Sequence, residues 1–297
     1  MKTVLTIAGS DCSGGAGIQA DLKTITAYGM YGMSAVTALT VQNTQGVFGV
    51  FETEERALGG QLAACFSDIR PDAVKIGMLP SNIAVLVVAE ALRKYRPERV
   101  VLDPVLVSTS GQRLMEPEAV RTAQRELYPL ATLLTPNVPE AEVLLGTGER
   151  DGGSGDLADG FGNPGGSGSL PHGFRGRIGS RGDMEAAAQA LSEKFHTAVL
   201  IKGGHLSGGA DDCLFCGGRR TWFPGERLER KNSHGTGCTL SSAIACGLAM
   251  GWGAEQAVSR AKWYLTEALR AEPGLGNGNW PLNHCFGIAE GFGREKT

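Results

Sequence analysis

Val4-Leu5-Thr6-Ile7-Ala8-Gly9-Ser10-Asp11-Cys12-Ser13-Gly14-Gly15-Ala16-Gly17 is the most telling segment of the chain for its architecture. A short apolar, β-branched run breaks into a glycine-rich loop. Residues 16–28 then place Ile18, Leu22 and Ile25 at helical spacing until Gly29 stops them. Strand, glycine loop and helix form the unit from which parallel α/β sheets are assembled. The unit recurs outward along the chain. Strands are predicted at 33–41, 73–78, 99–102 and 132–134, and helices at 54–67, 83–95, 116–128 and 138–145. Beyond residue 182 a helix is predicted at 184–195 and a strand at 198–202. A hairpin at 213–216 and 220–223 turns on Gly217-Gly218, and helices follow at 239–249 and 254–270. This alternation predicts a mostly parallel sheet covered by helices on both faces, in one domain over residues 1–297. Ligands of such sheets lie beyond the C-terminal strand ends. Asp11, Gln42, Lys75, Asp103 and Asn137 all fall at such ends.

A second glycine loop, Asn232-Ser233-His234-Gly235-Thr236-Gly237-Cys238-Thr239, opens into an apolar small-residue run ending at Met250. Backbone N–H groups of a glycine turn and of a helix N-terminus hold phosphate. A thiolate at Cys238 would gain from the same field. Two such loops on one sheet suggest a small-molecule kinase, one loop for the acceptor and one for nucleotide phosphates. Two roles fit Cys238: activation of the acceptor hydroxyl, or shaping of the anion hole.

The chain has 297 residues, 42% hydrophobic and 20% charged, enough for a full core. A net charge of −3 gives no basis for binding nucleic acid or an acidic membrane. Seven cysteines without framework spacing read as reduced thiols of a cytoplasmic protein, and no run reaches a membrane span. The segment at about 147–182 differs from the rest. Its 13 glycines from Gly148 to Gly182 and its lack of apolar periodicity predict a mobile surface insertion rather than a lid.

Asp103 ends a strand in Val101-Leu102-Asp103-Pro104-Val105, and a buried carboxylate there needs a partner such as magnesium, its water or a lysine. Asn137 and Glu140 are spaced to face one site around a proline-started helical turn. They also fit a helix N-cap with its first-turn partner. Cys213 and Cys216 lack the second pair that zinc would need, and His205 and His284 fall in loops without catalytic context.

The ordered set Ile7 to Asp11, Ser13 to Asp21, Thr37 to Thr44, Lys75 to Leu79, Asp103 to Val105, Thr135 to Asn137 with Glu140-Ala141, Lys202 to His205 and His234 to Thr239 resembles one family. Pro273 to Gly276 and Pro281 to His284 complete the likeness. It is that of the bacterial hydroxymethylpyrimidine and phosphomethylpyrimidine kinases of thiamine biosynthesis, within the ribokinase-like superfamily. The resemblance implies a three-layer α/β/α fold, a homodimer, ATP and magnesium. It implies as substrate 4-amino-5-hydroxymethyl-2-methylpyrimidine, and then its monophosphate. Carried over, it sets the pyrimidine near Gly9, Asp21, Gln42, Met78 and Val105. Asp103 and Glu140 would serve the metal, with Asn137, Lys202, Thr236 and Lys262 on the nucleotide side. Gly235, Gly237 and Cys238 would lie at the transferring phosphoryl group. The 147–182 segment departs from the family pattern. Pyridoxal kinase activity is the alternative reading, because relatives with the same cysteine-bearing loop act on vitamin B6 alcohols. A non-catalytic pyrimidine-binding module is the third.

Overall fold

The computed structural model describes residues 1–107, 113–147, 176–204, 209–228 and 234–287. Most of the predicted insertion, 148–175, lies outside the described residues, as does His205. The chain opens with β1 (Thr3–Asp11) and α1 (Gly17–Ala27), followed by β2 (Tyr31–Asn43), β3 (Gly46–Glu52) and α2 (Glu55–Asp68). β4 (Ala73–Ile76), α3 (Asn82–Tyr95), β5 (Val100–Leu102), α4 (Pro117–Glu126), β6 (Leu133–Leu134) and α5 (Val138–Leu145) continue the alternation. After α6 (Arg181–Phe195) come β7 (Ala198–Ile201), the hairpin β8 (Asp212–Cys216) and β9 (Arg219–Phe223), and then α7 (Thr236–Ala249) and α8 (Ala254–Arg270).

All nine strands form one sheet in the order β3-β2-β1-β4-β5-β6-β7-β8-β9. The six central strands are parallel; β3 pairs antiparallel with β2 at one edge, and at the other β8 pairs antiparallel with β7 and β9 with β8. From β1 the chain steps to β2 on one side and later to β4 on the other. That reversal opens a crevice beyond the C-terminal ends of β1 and β4. Two apolar layers bury the sheet. Leu58, Leu62, Val85, Val88, Ala119, Leu144 and Leu191 from α2 to α6 fill one face. Ile25, Leu240, Ile244, Leu248 and Val258 from α1, α7 and α8 fill the other. Burial of each large aliphatic side chain stabilises the fold by about 1.5–3 kcal/mol. No helix among the described residues is long and apolar enough to cross a membrane.

The structure departs from the sequence reading at several elements, among them α6, which begins at Arg181 rather than 184. β3 was not predicted, because its glycines at 46 and 49 and its partly exposed faces erase the alternation that marks a strand. α7 begins at Thr236, three residues before the predicted start. Gly235 sits at φ 84°, a left-handed backbone that opens the helix early and carries Gly237 and Cys238 inside its first turn.

Candidate active site

The two glycine loops meet. A Cβ at Gly235 would run into the carbonyl oxygen of Gly15, and one at Gly15 would strike the His234 ring, so neither position has room for a side chain. Asp11 organises the first loop. Its Oδ1 accepts from the Ser13 backbone N–H and hydroxyl at 2.9 and 2.8 Å, and its Oδ2 from the Gly15 and Ala16 backbone at 3.1 and 2.8 Å. Burial opposes its charge, but these donors and His234 hold its carboxyl well below the ordinary carboxylate range. His234 Nε2 lies 2.8 Å from Asp11 Oδ2 and 3.1 Å from the Gln42 carboxamide.

A charged cluster lies against the start of α7. Asp103, just past β5, accepts at Oδ1 from the Thr135 hydroxyl (3.0 Å) and from Lys202 Nζ (2.6 Å). Lys202 Nζ is 3.9 Å from Glu140 Oε2. Asn137 and Glu140 form a reciprocal capping box at the start of α5, so the N-cap reading holds while Glu140 still faces Lys202. Burial raises the Glu140 carboxyl above its ordinary range, Lys202 pulls it back, and Asp103 raises it again. Burial also opposes the charge on Lys202, yet Asp103 and Glu140 hold its ammonium above the usual lysine value. A Cβ at Gly237 would stand 3.1 Å from Asp103 Oδ2 and 3.5 Å from Lys202 Nζ, so the α7 N-terminus opens onto this cluster.

The surroundings of Cys238, partly buried in the first turn of α7, oppose the thiolate that the helix start alone would favour. Burial pushes the thiol up to about 11; Lys75 lowers it, and Asp21 and Asp103 raise it. Gly9 and Met78 touch across the crevice floor, where a Cβ on Gly9 would come within 2.6 Å of Met78 Cε. Val105, half-buried, follows Asp103 on the same strand exit.

Three of the side chains singled out in the sequence are engaged by partners within the protein. Asp21 is fully buried on α1. It accepts from Lys75 Nζ at 2.9 and 2.8 Å, from the Thr6 hydroxyl at 2.6 Å and from the Ser242 hydroxyl at 2.7 Å. Lys75, which the strand-end pattern set toward the ligand, is likewise fully buried. Lys262 donates to Asp212 Oδ2 (2.7 Å) and the Ala210 carbonyl (2.6 Å), bracing the chain between β7 and β8. Thr236 opens α7 beside Gly237. The sequence reading missed the side-chain roles of Asp11 and His234. A carboxylate three residues before the glycines of the turn was the available signal for the first. Nothing local marks the second.

The family model for phosphomethylpyrimidine kinase matches residues 11–154 and 174–283. The chain belongs to the phosphomethylpyrimidine kinase family. The match leaves out 155–173, within the segment where the pattern departs. The hydroxymethylpyrimidine/phosphomethylpyrimidine kinase of Rhizobium meliloti is 42% identical over 94% of this chain and 96% of its own length. The thiamine biosynthesis bifunctional protein of Geobacter sulfurreducens is 44% identical over 96% of this chain, which spans 52% of that longer protein. Among solved structures, phosphomethylpyrimidine kinase from Clostridium difficile is similar at 41% identity and TM-score 0.73, covering 90% of this chain and 99% of that one. Pyridoxal kinase from Bacillus subtilis, in an ADP complex, is similar at 31% identity and TM-score 0.79, covering 96% and 98%. The three-layer architecture is thus the ribokinase-like fold of an ATP-dependent kinase family.

Proposed function

We infer that this protein transfers phosphoryl groups from ATP to the hydroxymethyl group of 4-amino-5-hydroxymethyl-2-methylpyrimidine, and then to the resulting monophosphate, for thiamine biosynthesis. One observation carries the reading. The start of α7 opens onto Asp103 and Lys202 at Gly237, while its N-cap, Gly235, touches the Asp11 loop beside Gln42. An acceptor and a phosphate site therefore share one wall.

Phosphoryl transfer through a loose transition state depends on alignment and on neutralising charge spread over three oxygens. The backbone N–H groups of Gly237 and Cys238, in the first turn of α7, would donate to those oxygens. Gly235 and Gly237 let the backbone come close, and Lys202 supplies positive charge. Of the two roles open to Cys238, lining the hole and orienting the acceptor hydroxyl is the one that its high pKa favours. Gly9, Met78 and Val105 would give the ring flat apolar contact and Gln42 its polar contact. Asp21 would brace α1 and α7 behind them. Thr236 and Asn137 would lie on the nucleotide side, with Lys262 stiffening that wall.

Asp103 and Glu140 are hard oxygen donors, and their convergence beside Lys202 fits magnesium that keeps most of its shell as water and phosphate oxygen. When bound, the ion neutralises nucleotide charge; Asp103 and Glu140 would hold it. The single-domain organisation, a cytoplasmic setting supported by seven free thiols, and a homodimer complete the reading. Exposed Leu39, Phe48 and Phe51 on β2 and β3 are the apolar surface that favours self-association. Cys238→Ala tests the site: turnover of the pyrimidine alcohol should fall at least tenfold with KM little changed. Unchanged turnover would remove the thiol from the mechanism. Phosphorylation of pyridoxal in place of the pyrimidine would favour the B6 reading, which the likeness to solved pyridoxal kinases supports.

A further inference from the structure

His234 engages two neighbours through one atom, and the protons in those contacts can be assigned. Asp11 receives four N–H and O–H groups from its own loop, so it is ionised and can only accept. His234 Nε2, 2.8 Å away, therefore carries a proton and donates it to Asp11 Oδ2. The structure sets Gln42 Nε2 3.1 Å from that same nitrogen, donor against donor, whereas the end of the amide that faces it must accept. Only the amide oxygen can do so.

The far end of the amide gives the same answer. Thr40 Oγ1 lies 2.9 Å from the Ser10 carbonyl oxygen and 3.0 Å from the Gln42 carboxamide. A hydroxyl has one proton and a carbonyl can only accept. Thr40 thus donates to Ser10 and accepts from the Gln42 amide nitrogen. With Nε2 turned toward His234, two donors would confront each other, and one Thr40 proton would have to serve two acceptors. A half-turn of the carboxamide removes both conflicts.

We propose that the Asp11–His234 pair fixes the hydrogen-bonding polarity of Gln42, with Oε1 held toward His234 and Nε2 toward Thr40, and so selects which ring edge the acceptor pocket takes. The proposal rests on the pyrimidine alcohol being the acceptor. Each end of the carboxamide keeps one bonding site for a ligand: a lone pair on oxygen and an N–H on nitrogen. That pair matches an amine beside an unprotonated ring nitrogen, the edge of a 4-aminopyrimidine. A 4-oxopyrimidine presents the reverse, a carbonyl oxygen beside a ring N–H. An amide free to turn would take either edge, whereas one held from behind takes the first. Asp11 and His234 would then be positioning residues that determine specificity without touching the ring.

Two measurements test this. Nitrogen-15 NMR of the full-length wild-type protein should show His234 Nε2 protonated at neutral pH; a bare Nε2 would overturn the proposal. Steady-state rates with the 4-amino alcohol and its 4-oxo analogue should favour the amine about 10- to 100-fold in kcat/KM. In His234→Phe that ratio should shrink at least about tenfold. Damage to the anion loop alone would slow both substrates equally and leave the ratio intact, which would also overturn the proposal. Phosphorylation of both pyrimidines at equal rates by the wild type would sink the proposal and keep the kinase assignment. Phosphorylation of neither would sink the assignment and the edge selection with it, while the NMR spectrum alone would decide whether the pair fixes Gln42.

Discussion

Asp21→Ala removes the counter-charge of a lysine that has no access to water. Lys75 is fully buried, and its ammonium donates to both oxygens of the Asp21 carboxylate. The same carboxylate receives Thr6 from β1 and Ser242 from α7, so one side chain ties together β1, β4, α1 and the helix of the anion hole. Breaking a buried pair costs about 3–5 kcal/mol, because the remaining charge is stranded in low dielectric. That is a large fraction of the roughly 5–15 kcal/mol that holds a protein folded. At about 2–4 °C per kcal/mol, the melting temperature should fall by roughly 6–20 °C. The double variant Asp21→Asn with Lys75→Met keeps a partner for both hydroxyls and removes the stranded ammonium. It should recover most of the loss, since replacing a whole pair is often neutral. Scanning calorimetry of the three proteins measures this, with KM for the pyrimidine alcohol determined below the transitions. A single variant that melts like the wild type but raises KM tenfold would refute the reasoning and return Asp21 to the substrate surface.

Gly237→Ala should fold but lose at least tenfold in turnover, because its Cβ crowds Asp103 Oδ2 at 3.1 Å; wild-type rates would show that this approach is not used. Gly235→Ala combines a left-handed φ with a clash against Gly15, and soluble yield with thermal melting should show a far larger loss of stability. His284 is buried between Tyr264 and α1, and burial lowers its pKa from 6.5 to about 4. The unfolded chain takes up the proton first, so this contribution is intact above about pH 6.5. It is lost as pH falls toward 4, by about 3 kcal/mol in all. Urea midpoints at pH 4.5 and 7 should differ less in His284→Gln than in the wild type, and equal differences would exclude the histidine. With its pKa near 11, Cys238 should be alkylated by iodoacetamide at pH 7.5 far more slowly than the exposed Cys12 and Cys285. Mass spectrometry of the peptides reads this directly, and fast labelling of Cys238 would restore the thiolate.

The parallel core was legible because each strand is a short apolar run ended by glycine, proline or a polar residue, and each helix shows its period. β3 was not, since an edge strand with both faces partly in water need not alternate. The polar strand ends at Asp11, Gln42, Asp103 and Asn137 were legible as positions, and the structure shows Asp11 and Gln42 contacting His234 and Asp103 contacting Lys202. What stayed hidden was pairing across long separations. His234 meets residues 223 and 192 positions away, and Asp21 meets Ser242 across 221. One clue was present. Lys75 lies in Ala73-Val74-Lys75-Ile76, a strand too apolar to hold an ammonium without a buried carboxylate.

The most direct measurement is phosphorus NMR of the purified protein with magnesium and ATP, offered the aminopyrimidine alcohol, its monophosphate and pyridoxal in separate tubes. A phosphomonoester signal from the alcohol and a diphosphate signal from the monophosphate are the predicted result. Phosphate appearing on pyridoxal alone would contradict the account.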